Sequence, residues 1–263
     1  MRLATYNIAG RHTHPLTFAQ RLPSIVEILR ECDADVIGLT EVDGVSHNHS
    51  QAHEIAVALG MTHVIFVSAQ PPPRYFGNAI LSRFPLHPLE PLRLPRGSLQ
   101  RDNGERMPGQ LESRLALPVQ IPELDVMLLC THLGIYNTVD SEPDGEGAAA
   151  IRMLSNNDVV SSAGAIPVIL MGDLNLSPVS PLYYILNETW TVVEGGTETT
   201  FPGVLDSGIR ECPATMQKID YICCLRKSHG KSMMPQATVV MSSHRDARSA
   251  SDHFAVFTTL QRE

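Results

Sequence analysis

Lysine is nearly missing from this chain: it has 3 Lys against 17 Arg, and 28 acidic residues bring the formal charge to −8 and the pI to about 5.7. That balance argues against a protein that holds nucleic acid on a broad basic surface, while leaving room for a local positive groove. The arginine excess suits bidentate phosphate contacts, but it fits a GC-rich coding bias equally well and decides nothing. Aromatics are also sparse, at 5% with Trp190 the sole tryptophan, so basic, aromatic-rich surfaces for stacking bases are absent. No stretch approaches the roughly 20 consecutive apolar residues of a membrane span, and no extended apolar hairpin suits bilayer insertion. The opening Arg2-Leu3-Ala4-Thr5-Tyr6-Asn7-Ile8 has no signal-peptide pattern, so the chain reads as cytoplasmic.

Cysteine is equally limited. Cys32, Cys130, Cys212, Cys223 and Cys224 are odd in number and irregularly spaced, and three of them lie in apolar runs. Reduced core thiols fit this pattern better than a disulfide scaffold, and no zinc spacing occurs among them.

What is present is a sizeable core: 263 residues with 43% hydrophobic composition suit one domain over residues 1–263, and no repeat or linker marks a second. Strands are expected near 2–8, 34–40, 62–68, 78–82, 112–120, 124–131, 166–172, 219–224, 237–242 and 253–260. Helices are fewer. Phe18, Leu22, Ile25 and Leu29 recur at helical spacing after a Thr17–Gln20 capping box, and 50–59, 147–161 and 180–186 also suit helices, the last with Ser180 and Pro181 at its start. Residues 85–110, rich in Pro, Gly and Arg, read as a long surface loop. Many strands without strict strand–helix alternation point to an α/β fold of two packed mixed β-sheets flanked by helices, not to a doubly wound parallel sheet.

Polar residues end one apolar strand after another. The run Ile166-Pro167-Val168-Ile169-Leu170-Met171 leads into Gly172-Asp173-Leu174-Asn175. If the extended conformation continues, Asp173 and Asn175 leave the same face; alone, the segment reads equally well as a Gly-Asp turn with an Asn cap. Asn7, Glu41 and His132 end other strands, Asp220 lies inside Lys218-Ile219-Asp220-Tyr221-Ile222, and Asp252-His253 open the last one. Singly, these are solvated ends or hydrogen-bonded structural residues. Together they supply hard oxygen ligands for Mg²⁺, a carboxylate to orient water, and donors for phosphoryl oxygens.

The segments Thr5-Tyr6-Asn7-Ile8, Gly38-Leu39-Thr40-Glu41-Val42, Gly77-Asn78-Ala79-Ile80-Leu81-Ser82-Arg83, Thr131-His132-Leu133, Gly172-Asp173-Leu174-Asn175, Lys218-Ile219-Asp220-Tyr221-Ile222 and Ser251-Asp252-His253 span nearly the whole chain. In content and order they resemble the endonuclease/exonuclease/phosphatase superfamily, which includes DNase I-like nucleases, exonuclease III-like repair enzymes, inositol polyphosphate 5-phosphatases and neutral sphingomyelinases. The resemblance implies a DNase I-like four-layer α/β sandwich and a Mg²⁺- or Mn²⁺-dependent hydrolase of phosphate esters. It implies Glu41 as principal metal ligand, with Asn7 and Asp252 as direct or water-mediated ligands. Asp173 would position or deprotonate the attacking water, with Asn175 holding Asp173 or a phosphate oxygen. His253, paired with Asp220, would face the scissile phosphate as base or as electrostatic clamp, and His132 would be a further oxygen donor. Two departures stand out: Ala9 occupies a position that is acidic in many nuclease members, and Thr40 replaces a common Gln.

The substrate is a separate question. Residues 140–146 carry four acidic side chains and no basic one, and an acidic rim repels a polyphosphate backbone over a Debye length of about 10 Å at 0.1 M salt; a plain solvated loop reads as well. Against it stand Arg74, Arg96, Arg101 and Arg106, available to a phosphoryl group or simply exposed. Arg11, His12 and His14 follow Asn7, and His47 and His49 follow Glu41. If both loops crown one site, four imidazoles gather where they would meet a leaving group or a second metal; ordinary loop polarity is the plainer reading. A small soluble phosphate ester is thus expected ahead of DNA or RNA, with no protein partner evident. A non-catalytic binding module is the reading from another class.

Overall fold

Apolar runs that lack alternation need cover on both faces, and in this fold they receive it. The computed structural model describes residues 1–10, 14, 16–70, 72–96, 113–136, 140–193, 199–201, 217–226, 233–241 and 250–262. In chain order the first elements are β1 (Arg2–Asn7), α1 (Phe18–Cys32), β2 (Val36–Ser46), β3 (His49–Ser50), α2 (Gln51–Leu59), β4 (His63–Ser68) and β5 (Tyr75–Ser82). Next come β6 (His87–Pro88), β7 (Leu92–Leu94), β8 (Arg114–Ile121), β9 (Val126–His132), α3 (Glu146–Ser155), α4 (Asp158–Ser162) and β10 (Val168–Asp173). The last are α5 (Pro181–Thr189), β11 (Trp190–Val192), β12 (Asp220–Leu225), β13 (Met233–Val240) and β14 (Val256–Arg262).

These strands make two sheets, ordered β13-β14-β1-β2-β5-β4 and β11-β12-β10-β9-β8-β6, with β3 beside β2 and β7 beside β8. Each sheet is mixed in the same way. β1 and β2 run parallel, as do β9 and β10, and the other pairings among the described residues are antiparallel. The two sheets thus repeat one plan, with β1 and β10, β2 and β9, and β14 and β12 in matching places.

Period-two alternation sorts the side chains into three cores. Leu3, Val36, Leu128, Cys130, Ile169, Met171 and Ile222 fill the space between the sheets. Ala4, Tyr6, Ile37 and Leu39 face α1 and α2 with Ile25 and Ile55, while Leu129, Leu170 and Tyr221 face α3 and α5 with Ile151 and Leu186. The result is four layers: helices, sheet, sheet, helices. At the carboxyl ends of β1, β9 and β10 the same alternation turns Asn7, His132 and Asp173 toward the gap between the sheets. It does the same for Asp220 at the start of β12.

Several sequence expectations need correction. The surface loop proposed for 85–110 contains β6 and β7, which pair with β8; residues 97–112 lie outside the described residues. The helix proposed for 147–161 is two helices, because the Asn157 side chain accepts the Val160 amide and starts α4 anew. The extended conformation does not continue from Asp173 to Asn175, which has φ +50°. β11 and the two-residue β3 were not anticipated, being too short to show a pattern. Cys32, Cys130, Cys223 and Cys224 are buried free thiols, and Cys212 lies outside the described residues.

Gly172 fits because it lacks a side chain. Its φ is +139°, and a Cβ there would sit 1.9 Å from the Thr131 carbonyl oxygen. Gly172→Ala is expected to destabilise the protein by about 3 kcal/mol or more in urea unfolding, against about 1 kcal/mol for Gly60→Ala, where φ is +71° but nothing lies within 4 Å. Equal losses would show that strain at φ, not the approach of β9, sets the requirement at Gly172.

Candidate active site

Three adjacent strands put three titratable side chains in one row. Asp173 of β10 is in register with His132 of β9 on one side and Asp220 of β12 on the other. The facing sheet brings Asn7 to the same gap, and its Nδ2 donates to Asp173 Oδ2 at 2.9 Å and to Glu41 Oε1 at 3.2 Å. Asn7 Oδ1 accepts the Ala9 amide at 3.0 Å, a bond that settles which way the carboxamide points. Asp173 has the corresponding turn: its Oδ1 accepts the Asn175 amide at 2.9 Å. Ala9 and Asn175 both have positive φ, so each polar strand end is closed by the same left-handed turn.

Glu41 reaches the gap by a different route. Alternation along β2 would send it to the helix side, beside Ile37 and Leu39. Between Leu39 and Val42 the register with β5 shifts, and Glu41 has φ +54°. This β-bulge turns its carboxylate back toward Asn7.

His253 joins the two halves. Its Nδ1 donates to Asp220 Oδ2 at 2.8 Å, and its Nε2 lies 3.2 Å from Asn7 Nδ2 and 3.7 Å from Asp173 Oδ2. His132 Nε2 lies 3.5 Å from the same oxygen. Thr200 Oγ1 accepts the Ile219 and Asp220 amides, and the Phe201 ring packs against the His253 imidazole at 4.8 Å between centroids. Ser251 Oγ donates to the Asn7 carbonyl and accepts the His253 amide, fixing the segment that carries Asp252 and His253.

The electrostatics follow from burial and neighbours. Burial alone would lower the His253 pKa, but the charge and hydrogen bond of Asp220, followed by Asp173 and Asp252, raise it to about 10, so the imidazole is cationic. His132 is the opposite case: burial, then Arg114 and His253, push its pKa well below the usual range and leave it neutral. Burial and then Asp220 push Asp173 up, against His253, Asn7 and the Asn175 amide. Glu41 is also raised, first by burial and then by Asp252.

Among the described residues, Asp173, Asp220 and His253 each offer a ligand atom, all within 4.8 Å of one another. This group suits Mg²⁺ poorly, because it is almost fully buried, includes a nitrogen, and has His253 Nδ1 committed to Asp220. Mg²⁺ prefers oxygen ligands and keeps several waters. Glu41 and Asp252 fit better: both are only half-buried, and their carboxylates repel one another in a way that a divalent cation relieves.

The other expected residues are placed as follows. Asn175 Nδ2 donates to the Leu133 carbonyl, so Asn175 holds Asp173 through its main-chain amide. His14 is buried, its Nδ1 accepts the Leu16 amide, and burial followed by Arg21 lowers its pKa to about 4; it stays neutral between pH 5 and 8. His47 packs edge-on against Tyr75, His49 is exposed in β3, and Arg74 lies over the Phe76 ring. The acidic stretch 140–146 folds into turns that begin α3, with Asp140 buried. His12, Arg101 and Arg106 lie outside the described residues. Sequence reasoning missed Arg114, which lines a small, partly open recess with Asn78 and His132 and acts electrostatically on both His132 and Glu41. It also missed Phe201. The Arg114 position directly before the apolar strand 115–119 was the available signal.

The four-layer sandwich is a fold shared by many solved structures. The chain has a TM-score of 0.67 and 17% identity to a mannosyl-6-phosphatase of Bacteroides thetaiotaomicron, covering 99% of each chain. To the human nocturnin catalytic domain with bound sulfate the values are 0.64 and 16%, covering 100% of this chain and 93% of that one. To truncated Caenorhabditis elegans TDP2 they are 0.63 and 17%, covering 98% and 96%. No curated protein matches the chain. Residues 4–224 match the model of the Endonuclease/Exonuclease/phosphatase family, and the chain belongs to that family, whose members are in general hydrolases of phosphate esters.

Because the His253 pKa is raised on folding, its protonation stabilises the fold. That contribution is complete below pH about 6.5 and is lost as pH rises toward about 10. Asp220→Asn removes the main raising influence and should flatten the fall in urea stability across this window. Parallel curves for parent and variant would contradict the assigned charge state.

Proposed function

We propose that this chain is a divalent-metal-dependent phosphoesterase that hydrolyses a phosphodiester or phosphomonoester by in-line attack of water. The observation that carries the reading is a single hydrogen-bonded cluster in which burial raises two carboxyl groups, Glu41 and Asp173, while one imidazole, His253, stays cationic. Opposed shifts of this kind divide acid, base and clamp roles among neighbours.

Asp173, with its pKa moved toward neutrality and its Oδ1 pinned by the Asn175 amide, takes a proton from the attacking water. Cationic His253, held by Asp220, faces the phosphoryl oxygens where negative charge shifts during attack. Neutral His132 and the Arg114 guanidinium supply further donors from the adjoining recess. Glu41 and Asp252 would hold Mg²⁺ or Mn²⁺, with Asn7 Oδ1 offering the lone pair that Ala9 does not use. When bound there, the cation neutralises phosphoryl charge as a Lewis acid.

A small soluble ester is favoured over nucleic acid by the net charge of −8, the acidic 140–146 segment and the shortage of aromatics. Likeness to a mannosyl-6-phosphatase and to a domain that holds sulfate agrees with a phosphoryl-sized anion subsite.

Hydrolysis of p-nitrophenyl phosphate and bis-p-nitrophenyl phosphate is expected to require Mg²⁺ or Mn²⁺ and to vanish with EDTA. Asp173→Asn and His253→Ala should each lower kcat by about 10²–10⁴ with the fold intact by circular dichroism. No metal-dependent turnover across a panel of sugar, inositol, nucleotide and lipid phosphates, DNA and RNA would favour a non-catalytic binding module. Turnover confined to DNA or RNA would replace the small-ester preference with a nuclease.

A further inference from the structure

Arg21 is 1% exposed, although nothing about helix packing calls for a charge there. It sits in the first turns of α1, whose start is set by the reciprocal Thr17–Gln20 capping box. Its guanidinium spans two separate chain segments. One terminal nitrogen donates to the Ile8 carbonyl at 2.6 Å and to the Ala250 carbonyl at 2.8 Å, and the other donates to the Gly10 carbonyl at 2.9 Å.

Those carbonyls flank the site. Ile8 and Gly10 lie on either side of Ala9, the residue whose amide orients the Asn7 carboxamide. Ala250 precedes Ser251, Asp252 and His253, and Ser251 Oγ ties the same two segments together by donating to the Asn7 carbonyl at 2.7 Å. Arg21 therefore braces, from the helix layer, the junction at which the end of β1 meets the segment leading into β14.

A buried guanidinium is costly to desolvate, and here three main-chain carbonyls offset that cost; an apolar side chain would leave all three without this donor. The planar fork of Arg21 presents donors from two nitrogens in fixed relation, whereas the three donors of an ammonium rotate about one nitrogen. Its charge also lies close enough for Asp252 and Glu41 to act on it.

We propose that Arg21 is a positioning residue that fixes the Asn7 turn against the Asp252–His253 segment and thereby sets the affinity of the Glu41–Asp252 side of the site for a divalent cation. This rests on the metal-dependent reading of the site. Partners behind metal ligands commonly change metal affinity by about 10–100-fold, because they set the angle at which a ligand is presented.

The test is calorimetric titration of Mn²⁺ into the full chain as parent, Arg21→Lys and Ser251→Ala, with thermal melts to establish folding. Arg21→Lys keeps the charge and loses the fork, and is expected to weaken Mn²⁺ binding about tenfold or more. Ser251→Ala, which removes the second tie, should weaken it in the same direction by a smaller factor. Mn²⁺ binding by a folded Arg21→Lys within twofold of the parent overturns the proposal while leaving the esterase reading in place. Should Arg21→Lys fail to fold, Arg21→Gln takes its place: weaker Mn²⁺ binding by a folded Arg21→Gln supports the brace, and parental binding overturns it. A parent that takes up no Mn²⁺ overturns both this inference and the metal-dependent function.

Discussion

One buried carboxamide connects the two halves of the site. Asn7 accepts the Ala9 amide with one lone pair of its oxygen and turns its amide hydrogens to Glu41 and Asp173, so a carboxylate from each sheet is held to a single side chain. Asp173 is almost fully buried, and an unpaired buried charge is far costlier than a paired one. The left-handed turns at Ala9 and Asn175 keep these donors in place, and the glycine at 172 lets β9 come close enough for His132 to face Asp173.

Much of this was legible in the sequence because strand alternation is simple. Leu3, Cys130, Met171 and Ile222 face the inter-sheet core, and two residues on from each, or two before, stand Asn7 by way of Thr5, His132, Asp173 and Asp220. The same logic fails at Glu41, which alternation would place under α2; only the bulge between Leu39 and Val42 returns it to the site. A bulge depends on pairing with β5, which no local pattern reveals. Arg114, Phe201 and Arg21 were unread for a related reason: their roles come from neighbours far along the chain, such as Phe201 against His253 and Arg21 against Ala250. Of the two conformations open to Asp173–Asn175, extension and a turn, the turn is found because the Asp173 side chain captures the Asn175 amide, a competition that Asp commonly wins at strand ends.

The site is organised by an imbalance of charge. Asp173 and Asp220 face one cationic imidazole, while Glu41 and Asp252 repel one another, a repulsion that His253, Asn7 and Arg114 offset only in part. The first group is closed and hydrogen-bonded within itself; the second is half-open to water. We read the closed group as the proton and phosphate machinery and the open group as the cation's seat. Membership of the Endonuclease/Exonuclease/phosphatase family supports phosphate-ester chemistry without choosing among its substrates.

That division of labour can be measured directly. Mn²⁺ binding by calorimetry, set beside turnover of bis-p-nitrophenyl phosphate, should separate Glu41→Gln from Asp220→Asn. The account predicts that Glu41→Gln loses Mn²⁺ binding, whereas Asp220→Asn binds Mn²⁺ close to the parental affinity yet turns over about 10²-fold or more slowly. Loss of Mn²⁺ binding in Asp220→Asn with retention in Glu41→Gln would place the cation among Asp173, Asp220 and His253 and contradict the account.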